Sequence, residues 1–113
     1  MFCLYAFNGE LMCFVHVLLN ALDMADKGSE VVIVFEGASV KLVPELEKAG
    51  NPFHALYMQC KDRGLIDGAC KACSAKLGVL DAVRDAGLAL LEGMSGHPPM
   101  SAYMVRGYTV LTF

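Results

Sequence analysis

Hydrophobic and polar positions divide the chain into short apolar runs and longer stretches with helical spacing. Phe2 to Phe7 is an uninterrupted apolar run ending at Asn8-Gly9, which is typical of a strand buried on both faces. From Glu10 to Lys27 apolar residues recur at three- and four-residue intervals until Gly28, which predicts a long helix. Four consecutive β-branched residues within Glu30 to Phe35 then predict a central strand. The chain therefore opens with a β-α-β unit.

The rest of the chain repeats this alternation. Two short helices are predicted after the second strand, one capped by Ser39 and ending near Lys48, the other running from Phe53 to about Arg63. Further strands are predicted over residues 66–72, interrupted by Gly68, 88–91 and 108–113, and further helices over residues 77–86 and 98–104. The pattern predicts a single α/β domain over residues 1–113, a three-layer α/β/α fold with a mostly parallel five-stranded sheet.

Loops that follow the strands of a parallel sheet share one edge, and ligands bind at that edge. Here these loops are Asn8-Gly9, Glu36 to Ser39, Cys70 to Ser74 and Glu92 to Pro99. The CxxC motif from Cys70 to Cys73 therefore falls on the edge where function is expected.

Composition and charge narrow the class of protein. The 113 residues are 56% hydrophobic, which is enough to build one buried core. The net charge is −3 and no two Lys or Arg residues are adjacent, so a nucleic acid is not expected as a partner. The apolar stretch from Leu11 to Ala25 is too short to anchor the chain in a membrane, and no basic segment precedes it as in a secretory leader. We expect a cytoplasmic protein, and the low charged fraction of 19% favours self-association.

The cysteine content favours thiol chemistry. Five cysteines, an odd number, indicate free thiols rather than disulfides in a domain of this size. Where a strand gives way to a helix, backbone amides can lower the pKa of a thiol, so Cys70 and Cys73 are the predicted catalytic pair. Lys71 adds a cation to the same turn, and the CxxC spacing lets one sulfur attack and the other resolve. The alternative is a pair of buried, inert cysteines.

Two further residues are candidates for a supporting role. His97 stands at the Pro98-Pro99 helix start, where its imidazole could stabilise a thiolate; the alternative is a surface residue in a proline-rich turn. Ser39 closes the segment Glu36-Gly37-Ala38-Ser39, which could accept an anion or serve only as a helix cap.

A zinc site needs more ligands than one CxxC motif offers. The chain has no second CxxC and no pair of histidines at ligand spacing. His54 and Cys60 lie six residues apart in a predicted helix and so on different faces. We therefore predict neither a metal nor another cofactor. Cys3, Cys13 and Cys60 lie among apolar residues and are predicted to be packing residues.

Several features of the chain stand together: the opening strand followed by a long helix, the segment EVVIVFEG at residues 30–37, the segment CKACSAKLGV at residues 70–79 and the ending GYTVLTF. Together they resemble the DsrE/DsrF-like family of sulfur-relay and uncharacterised proteins. In the sulfur-carrier members the active cysteine precedes a Gly-Val pair by several residues, and Cys70 stands at that spacing from Gly78-Val79. The resemblance implies a homotrimer or homohexamer, a persulfide on Cys70, and a sulfur donor or acceptor protein as partner.

The sequence thus leads to one functional hypothesis and two alternatives. The first is a sulfur carrier or sulfurtransferase that holds sulfane sulfur as a persulfide on Cys70, with Cys73 as the resolving thiol. The alternatives are a dithiol redox or redox-sensing module and a non-enzymatic oligomeric binding domain.

Overall fold

The computed structural model describes residues 1–113 and contains one sheet of five strands, all parallel. The strands are β1 (Phe2–Ala6), β2 (Val31–Phe35), β3 (Ile66–Cys70), β4 (Leu90–Leu91) and β5 (Thr109–Thr112), in the spatial order β4-β3-β2-β1-β5. The α-helices are α1 (Leu11–Asp26), α2 (Leu42–Leu46), α3 (His54–Asp62), α4 (Lys71–Lys76), α5 (Leu80–Asp85) and α6 (Met100–Met104), and a 3-10 helix spans Gly37–Lys41. The predicted α/β fold class is confirmed.

Helices cover both faces of the sheet, but unevenly. Successive residues of a strand point to opposite faces. Leu4 and Ile33 face the main core, which contains 21 buried residues and includes α1. Tyr5 and Val34 face a smaller cluster of four buried residues, where Tyr103 of the short helix α6 covers them. Burial on both faces explains why β1 and β2 are continuous apolar runs at the centre of the sheet.

The predicted helix over residues 77–86 is wrong in its start and in its continuity. Only α5 (Leu80–Asp85) lies within that range, and a separate short helix, α4, precedes it from Lys71, directly after the end of β3. Gly78 adopts a φ of +75° between α4 and α5. This left-handed conformation ends α4, as is common for glycine after a helix. The first cysteine of the motif therefore ends a strand, and the second lies in the first turn of a helix.

Ser39 does not cap a helix as predicted. The cap of the 3-10 helix is Glu36, whose Oε1 accepts a hydrogen bond of 2.9 Å from the Gly37 amide. The Ser39 hydroxyl oxygen accepts a hydrogen bond of 3.1 Å from the Glu36 amide. It also lies 2.7 Å from the carbonyl oxygen of Ala6, to which it can donate. Ser39 therefore fixes the end of β2 against the end of β1.

A close approach of two strands explains the glycine inside β3. A Cβ atom on Gly68 would lie 2.4 Å from the carbonyl oxygen of Ala89 and 2.8 Å from Cγ of Leu91. The next residue, Ala69, donates a hydrogen bond of 2.9 Å to the same carbonyl. Only glycine leaves room for β4 to approach β3 at this point.

Two of the three cysteines predicted to be packing residues are fully buried, namely Cys3 and Cys60. The prediction for Cys13 is wrong, because this residue lies on the exposed face of α1, next to the buried Phe14. None of the helices is both long enough and apolar enough to cross a membrane.

Candidate functional site

The two cysteines of the CxxC motif lie at the junction of β3 and α4. Cys70 is the last residue of β3 and the cap of α4, and its sulfur accepts a hydrogen bond of 3.4 Å from the Cys73 amide. Cys70 is fully buried, whereas Cys73 is partly exposed. Both thiols are free. Within the motif, Cys73 is thus the more accessible sulfur.

A tight turn brings His97 to the same place. Met94 and His97 exchange backbone hydrogen bonds of 2.8 and 2.9 Å, and the two residues between them, Ser95 and Gly96, have φ values of +52° and +86°. Positive φ at both central residues is the signature of a type I′ turn. The Ala72 amide donates a hydrogen bond of 2.9 Å to the carbonyl of Gly96. This bond ties the turn, and His97 with it, to the CxxC motif.

Glu36 enters the site from the end of β2. Its side chain is only 7% exposed, although it carries a carboxylate. The thiol of Cys73 donates a hydrogen bond of 3.0 Å to Glu36 Oε1. The same oxygen accepts the Gly37 amide, so the carboxylate is held by the backbone of its own loop as well as by the cysteine.

The four side chains form one compact cluster, which we call the Cys2HisGlu cluster: Glu36, Cys70, Cys73 and His97. The Nδ1 atom of His97 lies 3.1 Å from the Cys70 sulfur, 3.7 Å from the Cys73 sulfur and 3.4 Å from Glu36 Oε1. One sulfur, nitrogen or oxygen atom from each residue lies within 4.8 Å of the corresponding atom of the other three. Three separate segments of the chain, each at or after the end of a strand at the carboxyl edge of the sheet, bring these atoms together.

The electrostatics of the cluster keep its thiols protonated. Burial raises the pKa of Cys70 to about 12, and the nearby Glu36 carboxylate adds to this effect. Burial and the same carboxylate also raise the pKa of Cys73. Burial by itself would raise the pKa of Glu36, but the two nearby thiols and the Gly37 amide stabilise the carboxylate and lower this pKa. The thiol pKa values were predicted to be lowered; they are raised instead, first because both sulfurs are withdrawn from solvent and second because a buried carboxylate lies beside them.

A cavity of about 610 Å³ opens directly onto this cluster. Cys73, His97 and Glu36 line its wall, whereas Cys70 does not. Most of the remaining wall is apolar and comes from Tyr5, Phe7, Met94, Pro98, Pro99 and Met100. The size falls within the range of small-molecule pockets.

The other predicted supporting residues do not join the cluster. The ammonium group of Lys71 pairs with Glu92 at 3.2 Å, and both side chains are exposed. Ser39 acts indirectly, through its bonds with the backbone of Glu36 and Ala6.

Sequence reasoning missed the role of Glu36. The available signal was its position directly after a buried strand, on the edge that also carries the CxxC motif. Acidic residues are common at strand ends, so Glu36 is recognised as part of the site only when the fold shows that it lies beside two sulfurs.

Fold and site together define an α/β protein with a parallel sheet and a cysteine, histidine and carboxylate cluster that borders a pocket. No protein-family model matches the chain. The chain is 28% identical over 97 residues to the uncharacterised protein MJ0733 of Methanocaldococcus jannaschii, a match that covers 86% of this chain and 77% of that protein. Its fold is similar to the solved structure of BT1422 from Bacteroides thetaiotaomicron, a conserved protein of unknown function, with a TM-score of 0.72 and 22% identity over 98% of this chain and 93% of the other. Neither name assigns a family or an activity, so the resemblance to DsrE/DsrF-like proteins stays a prediction.

Proposed function

We propose that the protein binds a divalent transition-metal ion, zinc foremost, through the Cys2HisGlu cluster. The observation that carries this proposal is the convergence of two sulfurs, one imidazole nitrogen and one carboxylate oxygen within 4.8 Å of one another. These are the donor types that zinc prefers, and four of them complete a tetrahedral coordination shell. The sequence analysis set zinc aside because half of the ligands were missing, and His97 and Glu36 are the residues that supply that half.

The distances within the cluster suit a metal centre. Zinc bonds to sulfur, nitrogen and oxygen are about 2.0–2.3 Å long, which puts neighbouring donors of a tetrahedral site roughly 3.3–3.8 Å apart. His97 Nδ1 lies 3.4 Å from Glu36 Oε1 and 3.7 Å from the Cys73 sulfur, within that range. The contacts of 3.1 Å between His97 and Cys70 and of 3.0 Å between Cys73 and Glu36 are shorter, so an ion at the centre requires these side chains to move apart by up to about 1 Å.

Metal binding is tested on purified full-length protein that has been stripped with a chelator. Added zinc is expected to bind at one equivalent, and Co²⁺ in its place is expected to give the visible d–d bands of a tetrahedral ion and the near-ultraviolet bands of cobalt–thiolate bonds. The double variant Cys70→Ser/Cys73→Ser should lose both sets of bands, whereas Cys13→Ser, which changes an exposed cysteine of α1, should retain them. Absence of tetrahedral Co²⁺ bands in the wild type contradicts the proposal.

A second candidate function is sulfur transfer, which the exposure of one thiol favours. Cys73 lines the pocket and Cys70 lies behind it, so a sulfur donor meets Cys73 first. In the reaction the Cys73 thiol gives its proton to the Glu36 carboxylate, to which it is already hydrogen-bonded, and its sulfur attacks the outer sulfur of a donor persulfide. A new S–S bond forms on Cys73 while the S–S bond of the donor breaks, and the donor leaves as its own thiolate. This assignment exchanges the roles that the sequence analysis gave to Cys70 and Cys73.

The sulfur-transfer candidate is tested by mass spectrometry of the metal-free protein after exposure to a persulfide donor. A persulfide adds about 32 Da, the mass of one sulfur atom. The adduct should form in Cys70→Ser and be lost in Cys73→Ser. An unmodified wild-type protein argues against this function, and protection of the wild type by prior addition of zinc would place both activities at the same sulfurs.

A further inference from the structure

We infer that the pocket binds a small thiol with an apolar body, whose sulfur joins the metal in place of the Glu36 oxygen. This inference rests on the proposed metal site and adds to it the chemical class of the ligand.

Of the four ligands of the proposed metal ion, Glu36 is the one that a ligand in the pocket can replace. Of the four donors, Cys73, His97 and Glu36 line the pocket, so a ligand in the pocket can reach the metal from their side. Glu36 provides the only oxygen, and an ion that already has two thiolate ligands bonds more strongly to a third sulfur than to an oxygen. Glu36 Oε1 also keeps a partner after it leaves the metal, because the Gly37 amide donates to it at 2.9 Å.

The pocket wall selects an apolar body. Around the cluster most of the wall is apolar and comes from the rings of Tyr5 and Phe7, the prolines at 98 and 99, and the side chains of Met94 and Met100; Gly37 and Ser101 complete it. The hydroxyl of Tyr5 is already hydrogen-bonded to the carbonyl of Pro98. Its ring therefore offers mainly carbon and hydrogen atoms. A volume of about 610 Å³ accommodates a phenyl or branched alkyl group with room to spare.

Charge favours a thiol over an acidic head group. A carboxylate or phosphate ligand would place a second anion beside the buried Glu36 carboxylate, which is unfavourable. A thiol enters as a neutral molecule. Its S–H bond breaks, the proton passes to the released Glu36 carboxylate, the metal–sulfur bond forms and the metal–oxygen bond to Glu36 breaks. No oxidant or reductant takes part.

The experiment uses the full-length protein loaded with one equivalent of Co²⁺ and titrated with phenylmethanethiol. The thiolate charge-transfer absorption is expected to rise about 1.5-fold, because the number of cobalt–sulfur bonds goes from two to three. 2-Mercaptoethanol, which has the same head group without the apolar body, should bind at least about tenfold more weakly, and benzyl alcohol, which has the body without the sulfur, should leave the spectrum unchanged.

Pocket variants localise the binding. Met100→Trp narrows the pocket and should weaken phenylmethanethiol binding by about tenfold or more, whereas Met104→Trp, on the same helix but 55% exposed and outside the pocket wall, should not. Met94→Trp is a second test and should also weaken phenylmethanethiol binding, because Met94 lines the pocket. Its side chain is 54% exposed, so the larger ring should not disturb folding. In each variant the Co²⁺ spectrum before titration should match the wild type.

The two proposals fail differently. A protein that never gives tetrahedral Co²⁺ bands overturns the metal site itself. A protein that gives those bands but responds equally to both thiols, or to neither, overturns the ligand class and leaves the metal site standing.

Discussion

The Nδ1 atom of His97 lies 3.1 Å from the sulfur of Cys70, although 27 residues separate the two in the chain. The contact exists because β3 and β4 are parallel neighbours, so the segments that follow them leave the sheet at the same edge. The hydrogen bond from the Ala72 amide to the Gly96 carbonyl then sets the distance between the two segments. The cluster therefore forms because of the order of the strands in the sheet, and no single sequence motif contains it.

Removal of His97 should weaken metal binding without unfolding the protein. The apparent binding free energy of structural zinc in small sites is roughly 10–16 kcal/mol, so loss of one of four donors is expected to reduce zinc affinity on the order of 100-fold in His97→Ala. Competition with a chromogenic chelator measures this change. His16→Ala, at an exposed position of α1, should bind zinc as the wild type does. Equal loss in both variants would show that the histidine at 97 has no special role.

A substitution in the turn should displace His97 without removing a ligand. A Cβ atom at Gly96 would lie 3.0 Å from Cβ of Ala72, and the glycine has a φ of +86°. Gly96→Val is therefore expected to push the turn away from α4 and to lower zinc affinity about tenfold, measured by the same competition. Gly50→Val is the matched control, because nothing lies within 4 Å of a Cβ there. Unchanged affinity in Gly96→Val would mean that the turn does not position the imidazole.

Substitution of Gly68 should destabilise the sheet. Because a Cβ there would lie 2.4 Å from the Ala89 carbonyl, Gly68→Ala must separate β4 from β3, at an expected cost of about 2–4 kcal/mol in the free energy of unfolding. Gly28→Ala, where φ is +89° and no atom lies within 4 Å, should cost only about 1 kcal/mol from backbone strain. Urea denaturation measures both values, and equal losses would contradict the close approach of the strands.

The protein should lose stability in alkaline solution, in part through Cys60. Burial raises the pKa of this thiol to about 11 in the folded protein. In the unfolded chain the thiol loses its proton near its ordinary value of 9.0, so between these two pH values the folded state binds more protons and stability falls as pH rises. The slope from one such group approaches about 1.4 kcal/mol per pH unit.

Urea denaturation of the reduced protein at pH 8, 9 and 10 measures this slope. Cys60→Ala should show a shallower decline than the wild type. Cys13→Ala should decline like the wild type, because the side chain of Cys13 is exposed in the folded state. Parallel declines in Cys60→Ala and the wild type would assign the alkaline loss to other groups, of which the fully buried Cys3 is one, with its pKa raised by burial to about 12.

The order of the five strands along the chain, the mostly parallel sheet and the edge on which the CxxC motif lies were predictable from the sequence pattern, whereas the division into α4 and α5 was not. Continuous apolar runs and helical spacing are local properties, and parallel connections leave few arrangements open. Predictions from sequence neighbours were wrong where tertiary packing decides whether a side chain is buried. Cys13 has apolar neighbours in the chain yet faces solvent, because α1 turns the face of Phe14 toward the sheet. The reason for a glycine at position 68 inside β3 is likewise tertiary, because β4 lies too close to this position to leave room for a Cβ atom.

The tertiary structure alone decided the chemistry of the cluster. Glu36 and His97 meet the CxxC motif across 34 and 24 residues or more of chain, and no spacing rule connects them. The direction of the thiol pKa shifts also depended on the fold, because burial of the sulfurs, together with the Glu36 carboxylate beside them, outweighs the local effect of a helix start. Local sequence decides which side chains lie at the edge of the sheet. The distances between these side chains, and with them the thiol pKa values and the possible metal ligands, depend on how the strands are placed side by side.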